Sequence, residues 1–127
     1  MKRIFPFVLL LLLSAVLNAQ QKNVLPVKDF EKAIQATAVQ LLDVRTPQEF
    51  TEGYIKGAVN ADWNNETEFK AQANKLNKTK PVYVYCLSGI RSGKAADWLA
   101  ANGFVSVTNL EGGIKAWKAA DKKVVTK

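Results

Sequence analysis

The stretch Tyr85-Cys86-Leu87-Ser88-Gly89-Ile90-Arg91-Ser92-Gly93 holds the single cysteine of the chain. A thiol becomes a useful nucleophile as its thiolate, and nearby N–H donors or positive charge favour that form. An apolar run, Pro81 to Tyr85, leads into Cys86, and a helical pattern begins at Ser92. The amides of the six-residue loop Cys86–Arg91, together with the free amides of the next helix's first turn, can converge on one point. Such a concavity binds anions. Gly89 permits a turn that a Cβ would oppose. Two roles stay open for Arg91: a fixed positive charge at the rim, or a partner for an acid that holds the loop. Ser88 and Ser92 can donate hydroxyl hydrogen bonds to the sulfur, and helix capping explains Ser92 equally well. A lone cysteine at a strand end also fits as buried apolar filler. The glycine, the arginine and the following helix favour the reactive thiol.

Composition narrows the chemistry further. The chain has no histidine, which excludes a Cys-His or Ser-His nucleophile pair and leaves no expectation of a zinc site. One cysteine gives no internal disulfide, so the core must stand on packing alone. The net charge is +7. The excess lysines, Lys70, Lys75, Lys78, Lys80, Lys115, Lys118, Lys122 and Lys123, are scattered and not interleaved with aromatics. Nucleic acid is therefore not an expected partner. The charge suits anionic small molecules instead.

The elements that must position Cys86 alternate between strand and helix patterns. Strands are expected at Val24-Leu25, Gln40–Val44, Ala58–Ala61, Pro81–Tyr85 and Val105–Thr108. Helices are expected at Asp29–Ala36, Asn65–Leu76, Ser92–Ala101 and Ile114–Ala119. Thr46-Pro47-Gln48-Glu49 has the form of a capping box with proline at the first helical position, opening a short helix to about Glu52. PVYVY has no polar side, which suits a central strand covered on both faces. This alternation predicts one α/β domain with a mainly parallel sheet, and ligands bind beyond the carboxyl ends of such strands. Trp98 and Trp117 fall on helical apolar spacing and read as core. Trp63 either lines the pocket or packs. Gly112 and Gly113 read as turn residues. Asp43 and Arg45 read as ties between strand-end loops, with Arg45 pairing to Glu49 or another acid. The lysine-rich end, 120–127, is expected to be a mobile tail.

The N-terminus reads separately. Lys2 and Arg3 precede an apolar run too short to span a bilayer well, and Leu17-Asn18-Ala19-Gln20 offers a small residue at a cut site. Residues 1–19 are expected to be a secretory signal, cleaved after Ala19 or, as the next choice, Gln20. An uncleaved anchor helix is the alternative. Cleavage would leave a domain spanning 20–127, with its core at about 24–119. Loss of Lys2 and Arg3 would take the charge from +7 to +5. An exported protein with a free thiol points to the periplasm, without stable membrane association after cleavage.

Four motifs, in order, resemble those of the rhodanese-like sulfurtransferase family. Cys86-Leu87-Ser88-Gly89-Ile90-Arg91-Ser92 is similar to its active-site loop. Leu42-Asp43-Val44-Arg45-Thr46-Pro47-Gln48-Glu49-Phe50, Gly53-Tyr54-Ile55-Lys56-Gly57-Ala58-Val59-Asn60 and Leu110-Glu111-Gly112-Gly113-Ile114-Lys115-Ala116-Trp117 resemble the other three. The resemblance spans roughly Val24 to Ala119. It implies a three-layer α/β/α fold with a mainly parallel sheet of about five strands. It also implies a catalytic Cys86 that takes a sulfane sulfur from thiosulfate, a polysulfide or a persulfide. A thiol or cyanide acceptor then removes the sulfur. The loop residues Leu87, Ser88, Gly89, Ile90, Arg91 and Ser92 would bind the substrate, supported by Asp43 and Arg45, with no cofactor. A persulfide carrier serving a partner protein is the alternative. The six-residue loop has the sulfurtransferase length, one residue shorter than in related phosphatases. Leu87 stands where thiosulfate enzymes often have arginine, and Tyr54 where the family usually has histidine. Leu87 points to a less charged or protein-bound donor.

Overall fold

The computed structural model describes residues 21–126. The expected signal at 1–19 lies outside them. The strands are β1 (Gln21–Leu25), β2 (Gln40–Asp43), β3 (Val59–Asn60), β4 (Val82–Tyr85) and β5 (Ser106–Leu110). They form one sheet in the order β1-β5-β4-β2-β3, every pairing parallel. The helices are α1 (Val27–Ala33), α2 (Pro47–Thr51), α3 (Glu66–Ala73), α4 (Ile90–Ala101) and α5 (Gly113–Ala119).

The period-two side-chain alternation of a strand builds two cores from one sheet. Val82 and Val84 of β4 join Leu42, Val107, Phe69 and Ala73 of α3, and Ala95, Ala96 and Leu99 of α4 on one face. Tyr83 and Tyr85 turn to the other face, with Leu41, Leu110, Phe30 of α1, and Ile114 and Trp117 of α5. The result is the expected three-layer α/β/α fold, and PVYVY is its central strand, covered on both sides. Trp117 is buried, whereas Trp98 is half-buried at the margin of the first core.

Local chemistry accounts for several boundaries. Thr46 and Glu49 form the capping box: the Glu49 N–H donates to Thr46 Oγ1 at 3.2 Å, and the Thr46 N–H donates to Glu49 Oε1 at 3.0 Å. Asn65 caps α3 by accepting from the Glu68 N–H at 3.1 Å. Several elements begin earlier than their patterns suggest, β1 and α4 among them. Strand β1 starts at Gln21, because in-register pairing with β5 recruits its polar first half. Helix α4 starts at Ile90, not Ser92, because Gly89 takes the N-cap position in a left-handed conformation (φ 108°).

The segment expected to be a mobile tail is instead tied down as far as Val125. Tyr54 and Val125 exchange backbone hydrogen bonds of 2.9 and 2.8 Å, and Trp117 Nε1 donates to the Lys123 carbonyl at 2.8 Å. Val124 packs on the second core, and Lys122 pairs with Glu31 at 2.9 Å. The lysines obscured two apolar residues, Val124 and Val125, that return the chain to the body.

Candidate active site

Cys86 lies immediately beyond the carboxyl end of central strand β4, where a parallel sheet opens to ligands. The chain turns at once into α4, so loop and first helical turn wrap the sulfur. The Gly89 N–H donates to Cys86 Sγ at 3.0 Å, and Ser92 Oγ donates at 3.2 Å. Cys86 is 1 % exposed, whereas Leu87 and Ile90 stand 42 % and 69 % exposed. Burial pushes the thiol's pKa up. The Ser92 hydroxyl and the amides of Ser92, Gly89 and Ser88 more than offset this, so the pKa falls below its ordinary value. Hydrogen-bond donors thus favour the thiolate, and no neighbouring base takes part.

Arg91 reaches the sulfur by its charge, but its guanidinium is paired. Its guanidinium forks onto the Glu49 carboxylate, Nη1 to Oε1 at 2.8 Å and Nη2 to Oε2 at 3.0 Å. The open choice between rim charge and loop tie resolves toward the tie. The Arg91 hydrogen bonds hold the Glu49 carboxyl down to about 2, helped by the Thr46 N–H and opposed by burial. One carboxylate therefore caps α2 and anchors α4.

The loop is also fixed from behind. The Ile114 N–H donates to the Cys86 carbonyl at 2.9 Å, and the Lys115 N–H to the Leu87 carbonyl at 3.1 Å. Gly113 (φ 63°) makes this approach possible, since a Cβ there would fall on the Leu87 carbonyl. Gly112 and Gly113 are turn residues, as their position suggests.

Asp43 and Arg45 form a buried ion pair, Nη2 to Oδ2 at 2.6 Å and Nε to Oδ1 at 3.0 Å. Arg45 Nη2 also donates to the Gly53 carbonyl at 2.7 Å, and the guanidinium lies 5.8 Å from the centre of the Tyr85 ring. The partner of Arg45 is Asp43 rather than Glu49, because residues two apart at a strand end share a side. The pair ties the ends of β2 and β4 and makes no hydrogen bond to Cys86. Trp63 packs edge-on to Phe69, ring centres 5.0 Å apart. It lines a groove of about 300 Å³ with Asn64, Glu66, Lys70 and Trp98, and none of residues 86–92 lines that groove.

One residue near the loop escapes sequence reasoning. Asn109 Nδ2, from β5, donates to the Gly89 carbonyl at 3.2 Å. The available signal was an amide next to Leu110 in a strand whose other inward residues pack the core.

Comparison with known proteins agrees with this geometry. The family model of the rhodanese-like domain matches residues 26–120. The Bacillus subtilis protein YqhL is 36 % identical over 111 residues, covering 87 % of this chain and 84 % of that one. Thiosulfate sulfurtransferase GlpE of Shewanella oneidensis is 36 % identical over 97 residues, covering 76 % of this chain and 93 % of that one. The tRNA uridine(34) hydroxylase of Pelagibacter ubique is 40 % identical over 95 residues, 75 % of this chain but only 32 % of the hydroxylase. Among solved structures, a rhodanese-related protein from Thermoplasma volcanium superposes with a TM-score of 0.72 at 28 % identity, covering 83 % of this chain and 99 % of that one. The polysulfide-sulfur transferase homodimer of Wolinella succinogenes gives 0.69 at 27 % identity, covering 84 % of this chain and 80 % of that one. The chain belongs to the rhodanese-like domain family.

Proposed function

We propose that the protein is a sulfurtransferase that carries a sulfane sulfur as a persulfide on Cys86. The observation that carries this reading is the donor-lined, six-residue cradle around Sγ, with Gly89 N–H at 3.0 Å and Ser92 Oγ at 3.2 Å. The thiolate attacks the outer sulfur of a donor R–S–S⁻ or of thiosulfate. The S–S bond of the donor breaks, its electron pair leaves with the thiolate or sulfite, and Cys86 keeps the transferred sulfur. A thiophilic acceptor, a thiol or cyanide, then attacks that outer sulfur and returns the Cys86 thiolate. The amides that favour the thiolate also face the persulfide anion. Two relatives bear sulfur transfer in their names, one for thiosulfate and one for polysulfide, which supports the reaction class.

The donor we favour is weakly charged or protein-bound. Arg91 is paired with Glu49, and two of the three exposed side chains of the loop region, Leu87 and Ile90 beside Ser88, are apolar. The same apolar pair favours a second reading, a persulfide carrier that docks a partner protein without steady-state turnover of a small donor. The signal pattern expected at residues 1–19 supports export, which would put either activity in the periplasm.

Mass spectrometry of the purified protein after exposure to polysulfide or thiosulfate tests the proposal. One added sulfur on the wild type and none on Cys86→Ser is expected. No adduct from either donor overturns it. Turnover of cyanide or thiol separates enzyme from carrier, and fractionation of cells with an antibody against the chain tests export.

A further inference from the structure

Gly89 supplies the backbone N–H that meets Cys86 Sγ, and it does so in a conformation nothing within its own side chain can enforce. Glycine has the widest backbone freedom of any residue. An amide borne by glycine must therefore be held from outside if it is to stay aimed. Two groups grip the Gly89 carbonyl: the Gly93 N–H, 3.0 Å away as the first helical bond of α4, and Asn109 Nδ2 at 3.2 Å. The helical bond moves with α4. Among the described residues, Asn109 is what ties this carbonyl, on the Gly89–Ile90 peptide that follows the sulfur-facing N–H, to buried strand β5.

The other half of the Asn109 amide shows what it is kept for. Its Oδ1 is buried and has no hydrogen-bond partner among the described residues, in a residue only 8 % exposed. An unpaired buried acceptor is costly, and an apolar residue of the same shape would avoid that cost. Among the described residues, the one hydrogen bond of this side chain is its donor's, to the Gly89 carbonyl.

We propose that Asn109 is a positioning residue for the Cys86 nucleophile: by fixing the Gly89–Ile90 peptide it limits the rotation about Gly89 that would swing the preceding N–H off the sulfur. The inference rests on Cys86 acting as a nucleophile, not on the identity of its donor. Charged groups around the thiol are Arg91 of α4, paired with Glu49 of α2, the Asp43–Arg45 pair at the end of β2, and the exposed Lys115 of α5. Asn109 carries no charge, so its replacement leaves all of them in place.

The test is the pH profile of iodoacetamide alkylation of the full-length chain, for wild type, Asn109→Leu and Asn109→Ser. Leucine fills the space without a donor, and serine restores one at shorter reach. Asn109→Leu is expected to react about three- to tenfold more slowly on the acidic limb, converging with wild type at high pH, with serine intermediate. Its thermal midpoint should hold or rise, because the orphaned acceptor is gone. In ¹⁵N spectra the Gly89 amide should follow the thiol titration in wild type and follow it less in the variants. Superimposable profiles would overturn the proposal, as would a slower reaction at every pH accompanied by lost stability. If Asn109→Leu fails to fold, the serine variant carries the same two readouts. Absence of a persulfide on the wild type, with the variants' alkylation slowed on the acidic limb as expected, would overturn sulfur transfer and leave this inference standing.

Discussion

Ser92 supplies a hydroxyl that favours the thiolate. It sits in the first full turn of α4, fully buried, with Oγ 3.2 Å from Cys86 Sγ. Two roles were open for it in the sequence, capping and sulfur binding. Because α4 begins at Ile90, the cap position belongs to Gly89 and the hydroxyl is released to the sulfur. Ser92→Ala removes the strongest of the groups that favour the thiolate, while burial continues to oppose it. Alkylation by iodoacetamide near neutral pH should slow about three- to thirtyfold, since hydrogen bonds to charged groups are the stronger kind. The protein should remain folded, which circular dichroism would check. Cys86 and its loop were legible because strand, glycine and helix signals occur in sequence order. Asn109 was not, because it acts on the loop from 20 residues away, and its role depends on β5 lying beside β4.

The loop joins three elements, and each joint can be broken separately. The Arg91–Glu49 fork joins α4 to α2. The folded Glu49 carboxyl titrates at about 2, against 4.5 for the free group. A lowered carboxyl pKa gives stability that is present above the unfolded value and lost as pH falls from about 4.5 toward 2. Glu49→Gln should cost about 1–3 kcal/mol at neutral pH. The gap to wild type should close across that acid window in denaturant titrations at several pH values. The second joint is α5 against the loop carbonyls. Gly113→Ala places a methyl on the Leu87 carbonyl at a left-handed φ, and should destabilise by more than about 2 kcal/mol, read by urea unfolding. Strands β2 and β4 and helix α2 were legible from apolar runs and a capping box. Strand β1 was only half legible, because its first residues, Gln21 to Asn23, are polar and form a strand through pairing with β5.

At the scale of the molecule, the C-terminal segment closes the second core. Removing residues 122–127 would strip the Tyr54–Val125 bridge, the Trp117–Lys123 bond and the Lys122–Glu31 pair. The thermal midpoint should fall by about 5–15 °C, given the sensitivity of domains this size, as scanning calorimetry would show. The Cys86 hydrogen bonds arise from β4 and α4 and should survive below that midpoint, so alkylation of the folded truncation should match the full chain. The α/β layering was legible because strands and helices alternate along the chain. The fate of the tail was not, because its charge outweighed Val124 and Val125 in the pattern.

The grip of α5 on the loop has a consequence for what this scaffold could become. The Cys86 and Leu87 carbonyls are each taken by an amide of the last helix, and Arg91 is pinned to α2 five residues after the cysteine. The segment is thus clamped at both ends, like a ruler held between two stops. Inserting one residue to admit a bulkier tetrahedral anion would put a ridge between the stops. It would force either α5 to reseat or Arg91 to abandon Glu49. The reach of the site is set less by residues 86–91 than by two helices that never touch the sulfur. A change of chemistry would therefore have to begin at Glu49 or Gly113.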